Sequence, residues 1–79
     1  MARVLLFGRL SDIAGWRERE VDSDSLETLR ALLSDEDAGL ADALAAPGVQ
    51  IALDQAIIRG DAALSARSEV AFLPPMSGG

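Results

Sequence analysis

Short runs of apolar and polar residues along the chain alternate between the periods of strands and helices. The run Arg3–Phe7 is apolar and rich in strand-favouring residues, and Gly8 ends it, so a buried strand is predicted. The polar run 16–21 is typical of an exposed strand whose charges pair with a neighbouring strand. One helical turn over residues 10–14 separates them, which predicts a β-hairpin with a long connection.

A helix over residues 26–34 is predicted in the middle of the chain. Leucines recur there at helical spacing, and Asp22–Ser25 supply side chains that cap helix N-termini. A polar break is expected over 34–37. A second short helix follows around residues 40–44, and Pro47-Gly48 ends it.

The last third of the chain has the pattern of strands. Residues 49–53 alternate with period two, Asp54-Gln55 form a turn, and residues 56–58 return. The turn type stays open, because Asp tolerates left-handed backbone better than Gln does. The run 69–73 is the last strand, and Pro74-Pro75 end it because proline cannot donate a ladder hydrogen bond.

The order of these elements predicts an α+β fold with a mixed sheet packed on one main helix. The first and last strands are the most apolar, so we expect them to be central, adjacent and parallel. That arrangement is a β-grasp, as in ubiquitin. We therefore expect a β-grasp domain over residues 1–75 and a flexible diglycine tail over residues 76–79.

Composition excludes several classes of function. The 79 residues include no cysteine and no histidine, which excludes a disulfide scaffold, a thiol nucleophile and a histidine base or metal ligand. A net charge of −6 argues against nucleic acid and anionic membranes, and favours a basic protein partner if the acidity does more than confer solubility. The N-terminus lacks the regions of a signal peptide, so we expect a cytoplasmic protein.

The last six residues contain the candidate chemistry. Pro74-Pro75 favour extended geometry, and Gly78 and Gly79 lack side chains, so the chain end can enter a narrow channel of another protein. The carboxylate at Gly79 is a poor electrophile and needs activation, for example as an acyl-adenylate. If sulfur then replaces an oxygen, the product is a thiocarboxylate, which is a good sulfur donor.

The stretch Val70–Gly79 resembles the C-terminus of the MoaD family, the ubiquitin-like sulfur carriers that form the small subunit of molybdopterin synthase. Val4–Leu10 and Ser25–Arg30 resemble the first strand and the helix start of that family. The resemblance covers nearly the whole chain, and the ten-residue tail is its specific part.

The resemblance implies that a MoeB-type activating enzyme uses ATP to adenylate Gly79, which then becomes a thiocarboxylate. The carrier docks on the large, MoaE-type synthase subunit and donates sulfur to cyclic pyranopterin monophosphate. Two large and two small subunits form the usual complex. The catalytic side chains belong to the partner, so the chain is expected to be non-catalytic alone and to bind no cofactor or metal.

The resemblance also implies a partner-binding surface. Phe7, Ile57 and Leu73 occupy the positions of an apolar docking patch beside the tail, with ordinary core packing as the alternative. The expected partner-binding residues are Phe7, Ile57, Leu73, Pro74, Pro75, Met76 and Ser77.

Other conspicuous residues have structural interpretations. Trp16 is expected to be a packing anchor. Asp35-Glu36-Asp37 could suggest a metal site, but consecutive carboxylates do not converge on one point, so we expect a solvated loop. Arg9 and Arg59 are solvated cations that could pair with acids of a partner.

Three other functions stay open. The chain could carry sulfur for thiamin or cysteine synthesis, although thiamin-type carriers generally lack the two prolines and are shorter. It could be a ubiquitin-like modifier, joined by isopeptide bonds to lysines of other proteins. A small binding module with an inert tail is the alternative from a different class.

Overall fold

The computed structural model describes residues 1–75, and the predicted tail, residues 76–79, lies outside the described residues. The elements are β1 (Ala2–Leu6), α1 (Arg9–Ala14), β2 (Glu18–Val21), α2 (Leu26–Glu36), α3 (Ala38–Leu44), β3 (Gln50–Leu53), β4 (Ala56–Ile58) and β5 (Glu69–Leu73). Their order confirms the sequence prediction, and no strand or helix end is shifted by more than two residues.

The strands form one mixed sheet in the order β2-β1-β5-β3-β4. β1 and β5 are parallel, with Leu6 opposite Phe72, and the other strand pairs are antiparallel. This confirms that the first and last strands lie side by side and that β1 and β2 form a hairpin. The fold is an α+β ubiquitin-like β-grasp.

The helices cover one face of the sheet. Val4 of β1 and Val70 and Phe72 of β5 are completely buried there, in one cluster with leucines of all three helices. Side chains alternate across a strand, so every second residue of β1 and β5 enters this core. The helix residues of the cluster are Leu10, Leu26, Leu29, Leu33, Leu40 and Leu44.

Two caps define the main helix pair. The Thr28 N–H donates to Ser25 Oγ at 3.1 Å, which satisfies one N–H at the start of α2. The Leu40 N–H donates to Asp37 Oδ1 at 3.1 Å, so Asp37 caps α3 where α2 ends.

The predicted break over 34–37 was too long, because α2 continues to Glu36. Asp35 and Glu36 are therefore helical rather than loop residues. Glu36 pairs with Arg19 of β2 at 2.8 Å, which gives the helix end a tertiary partner.

Within residues 1–75, no helix combines the length and the apolar character needed to cross a bilayer.

The β3–β4 turn has left-handed backbone at both central positions, with φ of 50° at Asp54 and 72° at Gln55. Two positive φ values identify the type I′ turn that matches the twist of a hairpin. Asp54 also bonds to β5: its N–H donates to the Glu69 carbonyl at 2.8 Å, and its Oδ1 accepts from the Glu69 N–H at 2.9 Å. These two hydrogen bonds stabilise the turn, although Gln55 does not favour its positive φ.

Candidate functional site

The sheet face opposite the helices, called here the open face, presents the alternate residues of the same strands. Leu5, Ala71, Ala52 and Ile57 lie opposite one another across four strands at one register position. Within residues 1–75, none of these four belongs to the core cluster. The two alanines are the central members and are shielded by their neighbours, whereas Ile57 is 53% exposed on the edge strand β4.

The structure places the three predicted docking residues at the surface. Phe7 is 46% exposed, Ile57 is 53% exposed and Leu73 is half-buried. The alternative that they belong to the core is therefore wrong for Phe7 and Ile57. Exposed apolar side chains on one face are typical of protein interaction sites.

Two of these residues lie at the ends of neighbouring strands: Phe7 directly follows β1, and Leu73 is the last residue of β5. The Phe7 N–H donates to the Phe72 carbonyl at 3.2 Å, which joins the chain after β1 to β5 just before Leu73. Ile57 lies two strands from β5, because β3 separates β4 from it. The strand spacing of about 4.8 Å places Ile57 roughly 10 Å from the β5 axis. The patch therefore consists of a pair at the strand ends and one residue across the sheet.

The diproline lies directly after β5, where the chain leaves the centre of the sheet. Pro74 is half-buried and Pro75 is exposed. A Cβ added at Gly8 would lie 3.0 Å from Pro74 Cγ, and one added at Gly48 would lie 3.0 Å from Pro75 Cβ. Each proline therefore packs against the bare backbone of one glycine.

Both glycines have backbone that side chains rarely adopt. Gly8, with φ of 56°, precedes α1, and its carbonyl accepts from the Ser11 hydroxyl at 2.8 Å. Gly48, with φ of 89°, follows Pro47 in a turn closed by Val49 N–H donating to the Ala46 carbonyl at 3.4 Å. From the sequence, Gly8 and Gly48 are predicted only to end a strand and a helix, although glycine directly after a strand or a proline is a signal for such a close backbone approach.

Charges on the open face lie beside the apolar patch. Arg3 Nε pairs with Glu18 Oε2 at 2.8 Å across β1 and β2, which confirms the expected cross-strand pairing. The hydrogen bond from Arg3, and then its positive charge, hold the pKa of the exposed Glu18 carboxyl below its ordinary value. Arg9 and Arg59 are exposed.

Trp16 lies on the helix side of the β2 edge. It packs against the core cluster, which confirms the predicted packing role, and the Arg19 guanidinium lies 5.0 Å from its ring centroid. That distance allows a cation–π contact.

In the part of the chain that the structure describes, no three His, Cys, Asp or Glu side chains are placed to hold a metal ion.

The predicted reactive residues, Gly78 and Gly79, lie outside the described residues, as do Met76 and Ser77 of the predicted partner-binding set. The described structure fixes the base of the tail and the surface around it.

Comparison with protein families shows that the model of the ThiS family matches residues 4–79. No curated protein matches the sequence.

Several solved structures are similar to the chain throughout. Small archaeal modifier protein 1 from Methanosarcina acetivorans is 22% identical with a TM-score of 0.88, covering 99% of this chain and 95% of that one. The same-named protein from Haloferax volcanii is 23% identical with a TM-score of 0.78, covering 99% and 98%. A putative molybdopterin converting factor, subunit 1, from Pyrococcus furiosus is 20% identical with a TM-score of 0.80, covering 95% and 97%. At these identities the likeness establishes the fold.

Proposed function

The chain belongs to the ThiS family, and we propose that within this family it is the sulfur carrier subunit of molybdopterin synthase. Family and fold together make it a ubiquitin-like sulfur carrier or modifier of the ThiS and MoaD type. The choice of molybdopterin synthesis among these rests on the Pro-Pro-Met-Ser-Gly-Gly tail and on the apolar surface at its base.

One observation carries the proposal: the diproline leaves the sheet beside the exposed apolar residues of the open face. A partner that covers Phe7 and Leu73 therefore also contacts the base of the tail. Binding through the body makes the approach of the tail intramolecular, which raises its effective concentration in the partner's active site. The body supplies affinity and the tail supplies the reacting group.

The proposed chemistry takes place at the Gly79 carboxylate. An activating enzyme joins this carboxylate to the α-phosphate of ATP and releases pyrophosphate. A sulfur donor then displaces AMP, which leaves a thiocarboxylate. On the synthase, the thiocarboxylate sulfur attacks a carbon of the cyclic pyranopterin monophosphate substrate and displaces an oxygen substituent from it, which gives a thioester. Hydrolysis of this thioester leaves the sulfur on the substrate and restores the Gly79 carboxylate.

Two protein partners are proposed. The first is a MoeB-type adenylating enzyme, and the second is a large, MoaE-type synthase subunit, with two copies of each synthase subunit in the complex. Both would use the same tail, so they must bind the carrier in turn. The net charge of −6 favours partner surfaces that are basic around an apolar centre.

A modifier function is the second candidate, because two of the similar structures are small archaeal modifier proteins. A modifier uses the same activated carboxyl but transfers its acyl group to an amine. The product is then a branched protein joined through an isopeptide bond rather than free carboxylate and transferred sulfur.

Intact mass spectrometry of the purified chain tests the proposal. We expect incubation with the activating enzyme, ATP and a sulfur donor to exchange one oxygen for one sulfur, localised by fragmentation to Gly79. Adding the large subunit and the pterin substrate should reverse this exchange and yield molybdopterin.

The control is a chain that lacks Gly79. It should dock on the large subunit and keep its melting temperature, because the core consists of residues before Pro74, yet it should not be charged with sulfur. If the full chain shows no exchange with a competent activating enzyme, the sulfur-carrier function is wrong. Isopeptide adducts on other proteins, without molybdopterin, would favour the modifier.

A further inference from the structure

We propose that Gly8 and Gly48 are positioning residues that hold Pro74 and Pro75 and so set the direction in which the tail leaves the domain. We call these two glycines the diproline seat. The role of the seat in sulfur transfer rests on the proposed function, whereas its role in directing the chain does not.

Gly48 forms the tighter half of the seat. An added Cβ would lie 3.0 Å from Pro75 Cβ, 3.3 Å from Pro75 Cγ and 3.6 Å from Pro75 Cα. The contact at 3.6 Å is an ordinary one, but Pro75 Cβ belongs to a ring closed on the backbone and cannot rotate away, so the chain itself would have to shift by a few tenths of an ångström.

Gly8 forms the other half on the opposite side of β5. An added Cβ would lie 3.0 Å from Pro74 Cγ and 3.9 Å from Pro74 Cδ. The first residues of α1 fix this glycine, because its carbonyl accepts from both the N–H and the hydroxyl of Ser11. β1 and β3 flank β5, so the two glycines approach the diproline from the two neighbouring strands.

A small displacement of Pro74 or Pro75 produces a larger displacement of the chain end at Gly79. Gly79 lies four positions after Pro75, and an extended chain covers at most about 3.3–3.6 Å per residue, so this stretch spans at most about 14 Å. A shift of a few tenths of an ångström at Pro75, across the about 3.8 Å between neighbouring Cα atoms, turns the chain by about 5° and displaces an extended chain end by about 1 Å. Misplacing a reacting group by only about 1 Å can reduce a rate about a hundredfold.

The chain offers matched controls. Gly15 and Gly60 also have positive φ, 83° and 79°, but an added Cβ at either would meet no atom within 4 Å. Alanine at Gly48 and at these two positions therefore imposes the same kind of backbone strain, and only Gly48→Ala disturbs a proline.

The first test measures the direction of the tail. The sequence has no cysteine, so Ser77→Cys and Asp35→Cys place two nitroxide labels without competing sites. We expect double electron–electron resonance to give a distance distribution in Gly8→Ala and Gly48→Ala that is shifted from that of the parent chain. Gly15→Ala and Gly60→Ala should keep the parent distribution. Identical distributions in all four variants would overturn the proposal.

A measurement on the unsubstituted chain tests the contact between Gly48 and Pro75 even if the variants do not fold. Nuclear Overhauser contacts between the Gly48 Hα protons and the Pro75 ring protons should be present in the wild type. Absence of these contacts would show that Gly48 does not pack against Pro75 and would overturn the proposal.

The second test measures transfer. With saturating large subunit, the thiocarboxylate form of Gly48→Ala should donate sulfur about a hundredfold more slowly than the wild type, with its dissociation constant unchanged. Gly15→Ala should match the wild type in both. Equal transfer rates for Gly48→Ala and Gly15→Ala would overturn the role in transfer. If the wild type itself transfers no sulfur, the proposed function is wrong, and the label distances still decide whether the seat exists.

Discussion

The two faces of the sheet are built from the same strands and differ in how deeply their side chains are buried. On the helix side, Val4, Val70 and Phe72 are fully buried. On the open face, Leu5 and Leu73 are only half-buried, and the two alanines at positions 52 and 71 keep the centre flat. Large side chains fill the covered face, whereas small ones between larger neighbours leave the open face smooth enough for a partner to lie against.

This difference supports the proposal that one face stabilises the fold and the other docks a partner. Apolar burial stabilises the fold only where the helices supply the covering atoms. On the open face, the same residue types gain that contribution only when another protein covers them. Substitutions on the two faces should therefore affect different measurements.

The largest effect is expected for Phe72→Ala on the covered face. Phe72 is fully buried in the central strand, so its truncation should lower the free energy of unfolding by about 3–5 kcal/mol. A domain of this length has in total about 4–12 kcal/mol. Urea denaturation followed by circular dichroism measures the loss. The adjacent Leu73→Ala, on the open face, should lower the free energy of unfolding clearly less. An equal loss in both variants would contradict the difference between the two faces.

The next effect concerns docking rather than folding. Ile57→Ala should weaken binding to the large synthase subunit by about 2 kcal/mol, or about thirtyfold, while the free energy of unfolding changes by only about 0.5 kcal/mol. Isothermal titration calorimetry measures the affinity. Leu32→Ala is the matched control, since Leu32 is an apolar residue of α2 with 38% exposure and lies on a helix. Equal affinity for both variants would place the docking surface elsewhere.

A smaller effect is expected at the start of α2. Ser25→Ala removes the Oγ that accepts from the Thr28 N–H, and should lower the free energy of unfolding by about 1 kcal/mol. Thermal unfolding measures it, and affinity for the large subunit should stay at the wild-type value because the cap lies away from the open face. A variant that loses affinity but no stability would contradict the separation of the two faces.

The smallest effect is the pH dependence of the Arg19–Glu36 pair. The hydrogen bond from Arg19, and then its charge, lower the pKa of the Glu36 carboxyl in the folded state. Glu36 therefore stabilises the fold above its ordinary pKa, and this contribution is lost as pH falls through the lowered folded value. The pair is exposed, so salt should weaken it.

Carbon-detected NMR titration of the Glu36 carboxyl measures this shift. In Arg19→Gln the pKa should return toward its ordinary value, and in Arg67→Gln it should stay lowered. A Glu36 carboxyl that titrates alike in all three chains would show that the ion pair does not form in solution.

Much of the fold could be predicted because its signals are local. Leucine spacing and a capping serine specify α2 within the sequence window that forms it, and the apolar runs specify β1 and β5. The end of α2 was predicted less well. Polar residues at 34–37 read as a break, but the partner of Glu36 is Arg19, which is distant in sequence.

The candidate site was predictable only in part. The tail residues and the docking residues follow from the resemblance to the MoaD family, residue by residue. The exposure of Phe7 and Ile57 does not follow from their apolar character, which suits a core equally well. The contact between Gly48 and Pro75 joins positions 27 residues apart, beyond any local pattern.

The sequence by itself determined where strands and helices form, because period, capping and turn chemistry act between near neighbours. It also predicts which residue would react, since the resemblance to the MoaD family assigns the chemistry to the Gly79 carboxylate. Only the tertiary structure decided which face of β5 the helices cover, because that strand is apolar on both sides and alternation assigns two faces without saying which is buried. It likewise decided what the diproline packs against, since Pro74 and Pro75 gain their neighbours only when β1 and β3 lie on either side of β5.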